Sequence, residues 1–197
     1  MTSILVVCTG NVCRSPIAEG LLRDALTQRF GEHAPHVTSA GTAGWEGEGA
    51  MKESVAAAAE RGTDISGHVA RKVTGIMVEH AALVVTMATE HRDALSRFSP
   101  DTAHKTFTLK ELVRLLEHLS PMDPTEASAE EPPLAERVAA ADGARRDGFA
   151  GKPHDQDVVD PLGMPMESYR AIAWELDEWV ARLVDGLYGS VTAAAES

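Results

Sequence analysis

Thr2-Ser3-Ile4-Leu5-Val6-Val7-Cys8-Thr9-Gly10-Asn11-Val12-Cys13-Arg14-Ser15-Pro16-Ile17 is the stretch on which the fold turns. Thr2–Val7 is a short, almost uninterrupted apolar run, the pattern of a strand buried on both faces of a parallel sheet. A turn-like segment, Cys8–Arg14, follows. Ser15-Pro16 then reads as a helix start, with serine as N-cap and proline at the first helical position. From Ile17, the residues Ile17, Leu21, Leu22, Ala25 and Leu26 mark one apolar face at helical spacing. Gly31 ends that helix.

Working outward, the same strand–turn–helix grammar recurs. His36–Ala40 reads as a second strand, followed by a glycine-rich loop, 41–49, that carries Trp45. The alanine-rich span Lys52–Arg61 is helical and stops at Gly62. A short helix over Val73–His80 precedes the strand Ala82–Thr86, and a helix over Thr89–Phe98 meets Pro100. Lys105–Leu109 is a fourth strand and Leu109–Leu119 a helix rich in leucine. Met166–Tyr188 closes the pattern with a long amphipathic helix. Alternation of this kind predicts an α/β fold: a four-stranded parallel sheet flanked by helices on both faces, Rossmann-like in three layers, with a loop of its own after the first strand.

The regularity breaks over residues 121–157. That span holds five of the ten prolines, nine acids and four bases. Leu134–Ala141 could make a turn or two of helix. The remainder has too little apolar surface to offset its ordering entropy, and is expected to be a mobile, acidic surface insertion within one domain covering 1–197.

Composition narrows the function classes. The chain has 197 residues, 44% hydrophobic and 24% charged, enough for a sizeable core without disulfides or a structural metal. A net charge of −12 argues against a nucleic-acid binder that neutralises phosphates, but not against one focused cationic pocket. No apolar run reaches the length of a signal-peptide core or a membrane span, so no membrane partner is expected and the cytoplasm is the expected location. The two cysteines, Cys8 and Cys13, are too few for a disulfide scaffold or a thiolate zinc site. His33 and His36 lack acidic or thiol partners at ligand spacing, and neither a metal nor a cofactor is expected.

Two thiols five residues apart point instead to reactivity. Cys8 sits where the first strand ends and the next helix begins. Peptide N–H groups in such a loop converge on a concavity, and the helix N-terminus adds partial positive charge. The site is built for an anion, and it favours the thiolate, the nucleophilic form of cysteine. Arg14 would reach back over the loop, its planar fork matching two oxygens of a tetrahedral oxyanion. No G-x4-G-K-[ST] is present, so a nucleotide P-loop is excluded. A bare C-x5-R spacing is weak; placed between an apolar strand and a helix start, it is much stronger.

The stretch Val7–Glu19 resembles the signature of the low-molecular-weight protein tyrosine phosphatases. Further matches are Ser39-Ala40-Gly41-Thr42 with Trp45, Asp64–His68 with Ala70-Arg71, Val85-Thr86-Met87, and Asp160-Pro161 ahead of the last helix. The resemblance covers everything except 121–157. It implies a phosphoprotein phosphatase, with a phosphorylated protein as partner and phosphate-like oxyanions as ligands, working as a monomer or weak homodimer. Cys8 would be the nucleophile that takes the phosphoryl group as a cysteinyl-phosphate. Arg14 would clamp the oxygens, and Asp160 would protonate the departing oxygen and then activate water. Thr9, Gly10, Asn11, Val12, Cys13, Arg14 and Ser15 would form the phosphate loop. Asn11, Ser15, Ser39 and His68 would support that loop by hydrogen bonds, with Ser15 also bonded to the thiolate. Trp45 would stand beside the pocket. Cys13 would form a disulfide with Cys8, shielding it from irreversible oxidation.

Two positions depart from the tyrosine-directed pattern. Leu162-Gly163-Met164-Pro165 follows Asp160-Pro161 where many relatives carry aromatic residues, so Leu162 offers an aliphatic wall. Val12 forms the expected second wall, with threonine's shape but no hydroxyl, which favours an apolar ring over a guanidinium. Phosphotyrosine is therefore the expected substrate. A protein arginine phosphatase and a thiol-dependent arsenate reductase are the alternatives on the same fold, although no cysteine follows Cys13 to resolve an arsenate adduct.

Overall fold

In the computed structural model, residues 2–121, 134–149 and 155–190 are described. Four strands, β1 (Ser3–Cys8), β2 (His36–Gly41), β3 (Leu83–Thr86) and β4 (Thr106–Thr108), form one sheet in the order β2-β1-β3-β4. Every pairing is parallel. The sequence-based fold class therefore stands.

β1 lies inside the sheet with helices on both sides, which is why its sequence does not alternate. Ile4, Val6 and Cys8 face the larger core, formed with α1 (Arg14–Phe30), α2 (Lys52–Glu60), α5 (Leu109–His118) and α7 (Met166–Tyr188). Leu5 and Val7 face a smaller core closed by α3 (Gly75–His80) and α4 (Thr89–Phe98). The stripe read on the last helix holds: Tyr169, Ile172, Ala173, Leu176, Val180 and Leu183 are all buried. At the other boundary, α5 carries a reciprocal capping box between Thr108 and Glu111.

Three expectations change. Ser15 is not a helix cap: α1 already begins at Arg14, and the position before it, Cys13, makes no side-chain capping bond. The third helix starts at Gly75, two residues later than read, because the Thr74 hydroxyl accepts from Met77 N–H and fixes the boundary there. The third change concerns 121–157. Residues Leu134–Arg146 form a 13-residue helix, α6, that buries Leu134, Val138, Ala141 and Ala144 in the main core. Reading the span by its average acidity and proline content concealed a helical apolar stripe inside it. Its flanks, 122–133 and 150–154, lie outside the described residues.

Arginines tie α6 down. Arg137 donates to the carbonyls of Ser120 and Gly186. Arg145 lies over the Phe107 ring, 4.2 Å from its centroid, and donates to the Thr106 carbonyl of β4 at 2.9 Å. Both contacts are between buried or half-buried groups, where a guanidinium's fixed fork is used best.

Candidate active site

The loop between β1 and α1 sits at the carboxyl end of the central strand, beside the point where the sheet order reverses direction. In open α/β sheets this is where a crevice forms. Its shape is imposed from outside. The carbonyls of Cys8, Thr9, Gly10 and Val12 accept from the N–H groups of Thr42, Ala43, Trp45 and Met51, at 2.9–3.0 Å. Turning these carbonyls outward turns the N–H edges of the same peptide planes toward the concave side. β2 must run very close for this: a Cβ on Gly41 would stand 2.4 Å from the Thr9 carbonyl oxygen, so glycine is required there.

Asn11 takes a left-handed backbone, φ 59°, the one non-glycine residue to do so among the described residues. Its carboxamide secures that conformation. Nδ2 donates to Ser15 Oγ at 2.9 Å and to Ser39 Oγ at 2.7 Å, and Oδ1 accepts from Arg71 N–H at 2.9 Å. His68 Nε2 lies 2.8 Å from the Asn11 carbonyl. Ser39 donates to Glu19, whose Oε2 stands 3.7 Å from His68 Nδ1. The structure thus brings Asn11, Ser15, Ser39 and His68 into one buried network beneath the loop.

Cys8 Sγ is at the centre of the concavity. Ser15 Oγ is 2.9 Å from it and the Asn11 N–H donates to it at 3.3 Å. The peptide N–H points at sulfur, and the Ser15 hydroxyl lies within hydrogen-bond distance of it. The hydroxyl that capping rules assign to the helix end serves the thiol instead.

Arg14 reaches over the loop with its side chain 4% exposed. Nη1 donates to the Val158 carbonyl at 3.1 Å, and Nη2 to Thr9 Oγ1 at 3.1 Å and to Asp160 Oδ2 at 2.6 Å. Nε is buried with no hydrogen-bond partner, so one donor of the fork remains unspent beside the loop. Asp160 arrives on a segment fastened to the sheet: Val158 N–H donates to the Met87 carbonyl, and Asp157 accepts from Thr89 N–H at the start of α4. The Asp160 side chain is 41% exposed, between Arg14 and solvent.

Cys13 differs from its neighbour. Burial, followed by the nearby Asp160 carboxylate, pushes its thiol up to about 11, against a smaller opposing pull from the neighbouring Ser54 and Tyr169 hydroxyls. It stays a protonated, interior thiol at neutral pH. The described cysteines are both unpaired.

Trp45, beside Gly10 of the loop, is exposed, as are Leu162, whose N–H donates to Asp160, and Met164 two residues further on. Val12 is not. It is 2% exposed and packs in the main core, offering the mouth almost no surface, because the loop's inverted peptide planes send this side chain inward. His91, unremarked in the sequence, is buried against Thr9. Among the described residues, no group of three or more His, Cys, Asp or Glu side chains is arranged to hold a metal, and no helix is long and apolar enough to cross a membrane.

Comparison with known proteins matches this arrangement. The probable low molecular weight protein-tyrosine-phosphatase AmsI of Erwinia amylovora is 37% identical over 106 residues, 54% of this chain and 69% of the relative. A protein-arginine-phosphatase of Geobacillus stearothermophilus is 29% identical over 184 residues, 93% of this chain and 95% of the relative. Among solved structures, the low molecular weight protein tyrosine phosphatase from T. tengcongensis superposes with a TM-score of 0.69 at 31% identity, covering 95% of this chain and all of that one. The family profile described as low molecular weight phosphotyrosine protein phosphatase matches residues 3–141. With a profile spanning most of the chain, the same parallel sheet and a cysteine at the head of the first loop, this chain belongs to the low molecular weight phosphotyrosine protein phosphatase family.

Proposed function

We propose that the chain hydrolyses phosphorylated protein, phosphotyrosine above all, through a cysteinyl-phosphate on Cys8. The observation that carries this is the convergence on one concavity of Cys8, with a peptide N–H and the Ser15 hydroxyl at its sulfur, and the Arg14–Asp160 pair at 2.6 Å. An arriving phosphate ester takes the guanidinium over from Asp160. The free Nε and Nη2 then face two phosphoryl oxygens, and the loop amides face the others. Cys8 sulfur attacks phosphorus in line while the ester P–O bond breaks, and Asp160, in its acid form, gives the leaving oxygen its proton. Asp160 next takes a proton from water, whose oxygen attacks phosphorus, and the P–S bond breaks to return the thiolate. Ser15 supports that sulfur as nucleophile and as leaving group.

The aryl preference rests on the mouth, where Trp45, Leu162 and Met164 present apolar surface to a ring. The arginine reading is favoured by one observation, the end-to-end alignment with a protein-arginine-phosphatase. Two unpaired thiols suit a reducing compartment, so we assign the enzyme to the cytoplasm, acting as a monomer or weak homodimer. Under peroxide, Cys8 sulfenic acid would condense with the Cys13 thiol, releasing water and forming a disulfide.

The test is a panel of phosphotyrosine, phosphoserine and phosphoarginine peptides beside p-nitrophenyl phosphate. Turnover on phosphotyrosine that Cys8→Ser abolishes, and that Asp160→Ala lowers by roughly 10²–10⁴ in kcat with KM little changed, is the expected result. Faster turnover of phosphoarginine would replace the tyrosine assignment. Thiol-dependent reduction of arsenate without ester hydrolysis would replace both.

A further inference from the structure

Two anchors hold the Arg14 guanidinium apart from Asp160: the Val158 carbonyl on Nη1 and the Thr9 hydroxyl on Nη2. A backbone carbonyl on a fastened segment is a fixed point. A threonine hydroxyl is not, because χ1 can carry it away and its hydrogen can turn toward the arginine. Something must hold it, and the structure places one group there. His91, on the first turn of α4, has Nε2 2.9 Å from Thr9 Oγ1. Its ring is 1% exposed, and Nδ1 has no hydrogen-bond partner, so Nε2 makes the contacts of this side chain. Glu90 Oε1 is 3.4 Å from the same nitrogen, but that side chain is 71% exposed.

α4 itself cannot drift from the loop. Asp157 accepts from Thr89 N–H at 2.7 Å, binding the first turn of the helix to the segment that delivers Val158 and Asp160. His91, Thr9, Arg14 and Asp160 therefore form a continuous chain of contacts of 2.9, 3.1 and 2.6 Å, closed on itself through α4. The imidazole is neutral in this setting. Burial pulls its pKa down to about 4, and the Arg14 cation adds to the effect against the weaker opposing pull of Asp160 and Asp157. A neutral ring, in either tautomer, holds the hydroxyl without setting a second cation against the guanidinium.

We propose that His91 is a positioning residue for the oxyanion clamp: acting through Thr9 Oγ1, it fixes the setting in which Arg14 meets the phosphoryl oxygens. It does not touch phosphate. When an anion displaces Asp160 from the guanidinium, the Val158 carbonyl and the His91–Thr9 pair are what keep the fork in plane. This rests on the phosphatase reading, but it concerns anion binding and can be measured without turnover.

The experiment compares the full chain with His91→Leu, His91→Gln, Thr9→Val and the His91→Leu/Thr9→Val double variant. Affinity for inorganic phosphate is read by calorimetry and p-nitrophenyl phosphate kinetics alongside, on samples whose thermal melts show them folded. His91→Leu and Thr9→Val are each expected to weaken phosphate binding by about tenfold, the size of one lost charge-assisted bond. The double variant is expected to be no weaker than either single one, since both cut the same chain. His91→Gln, whose amide reaches the position of Nε2, is expected to restore most of the loss. Two losses that multiply, a His91→Leu variant that binds phosphate as the parent does, or a glutamine that fails to rescue would each overturn the proposal. A parent protein that binds phosphate but hydrolyses no ester would instead sink the phosphatase reading and leave the binding comparison intact.

Discussion

At Cys8 and Cys13, two identical side chains in one loop have opposite chemistry. Both are buried, but Cys8 sulfur accepts from a peptide N–H of the loop with the Ser15 hydroxyl 2.9 Å away, whereas Cys13 lies beside Ser54 and Tyr169 with its acidity suppressed. Limited iodoacetamide treatment of the native protein at pH 7 is therefore expected to alkylate Cys8 alone, with inorganic phosphate slowing the reaction. Peptide mapping checks it, and Cys13 should be carbamidomethylated only after denaturation. Residues of this loop were legible because their meaning is local: strand, turn, thiol and arginine follow one another within Ser3–Arg14. Ser15 had two readings in the sequence, helix cap by spacing and partner of the thiol by resemblance, and it is the second that the geometry matches. Capping and sulfur solvation compete for the same hydroxyl, and spacing alone does not say which wins. His91 was invisible, since its only meaning lies 82 positions away, at Thr9.

Helices show the same division between local pattern and distant contact. α1 and α7 carry long apolar stripes that survive any averaging, so their existence and facing follow from spacing alone. α6 carries a shorter stripe, Leu134, Val138, Ala141 and Ala144, inside a span whose prolines and acids dominate its composition. Its burial makes a definite claim. Leu134→Ala is expected to cost about 2–4 kcal/mol, the usual range for emptying a fully buried leucine site, read as a lower urea midpoint at unchanged m-value. A stability change within ~0.5 kcal/mol, as for a surface site, would mean that α6 does not belong to the core. The α5–α7 contact depends on a small residue in a similar way. A Cβ on Gly186 would stand 2.8 Å from Leu116 Cβ, which lets these helices approach closely and explains a glycine in the last turns of a helix.

For the molecule as a whole, the site's electrostatics enter the stability of the fold. Folded, His91 takes up its proton only near pH 4, against about 6.5 for a free imidazole. Between those values the unfolded chain binds a proton that the folded one refuses, so stability falls as pH drops from about 6.5 toward 4. Urea midpoints measured across that window are expected to decline in the parent and to decline less in His91→Gln. Equal slopes would mean that other groups account for the acid limb. The sheet order that creates the crevice also leaves β2 and β4 as outer strands. On β4 the Thr106 carbonyl is already taken by Arg145 of α6, whose guanidinium covers Phe107 as well. A backbone acceptor engaged in this way is unavailable to a foreign chain seeking to extend the sheet. The helix within the acidic span thus covers part of the sheet's outer border, and a shortened protein without it is expected to join its copies along β4, visible as concentration-dependent light scattering.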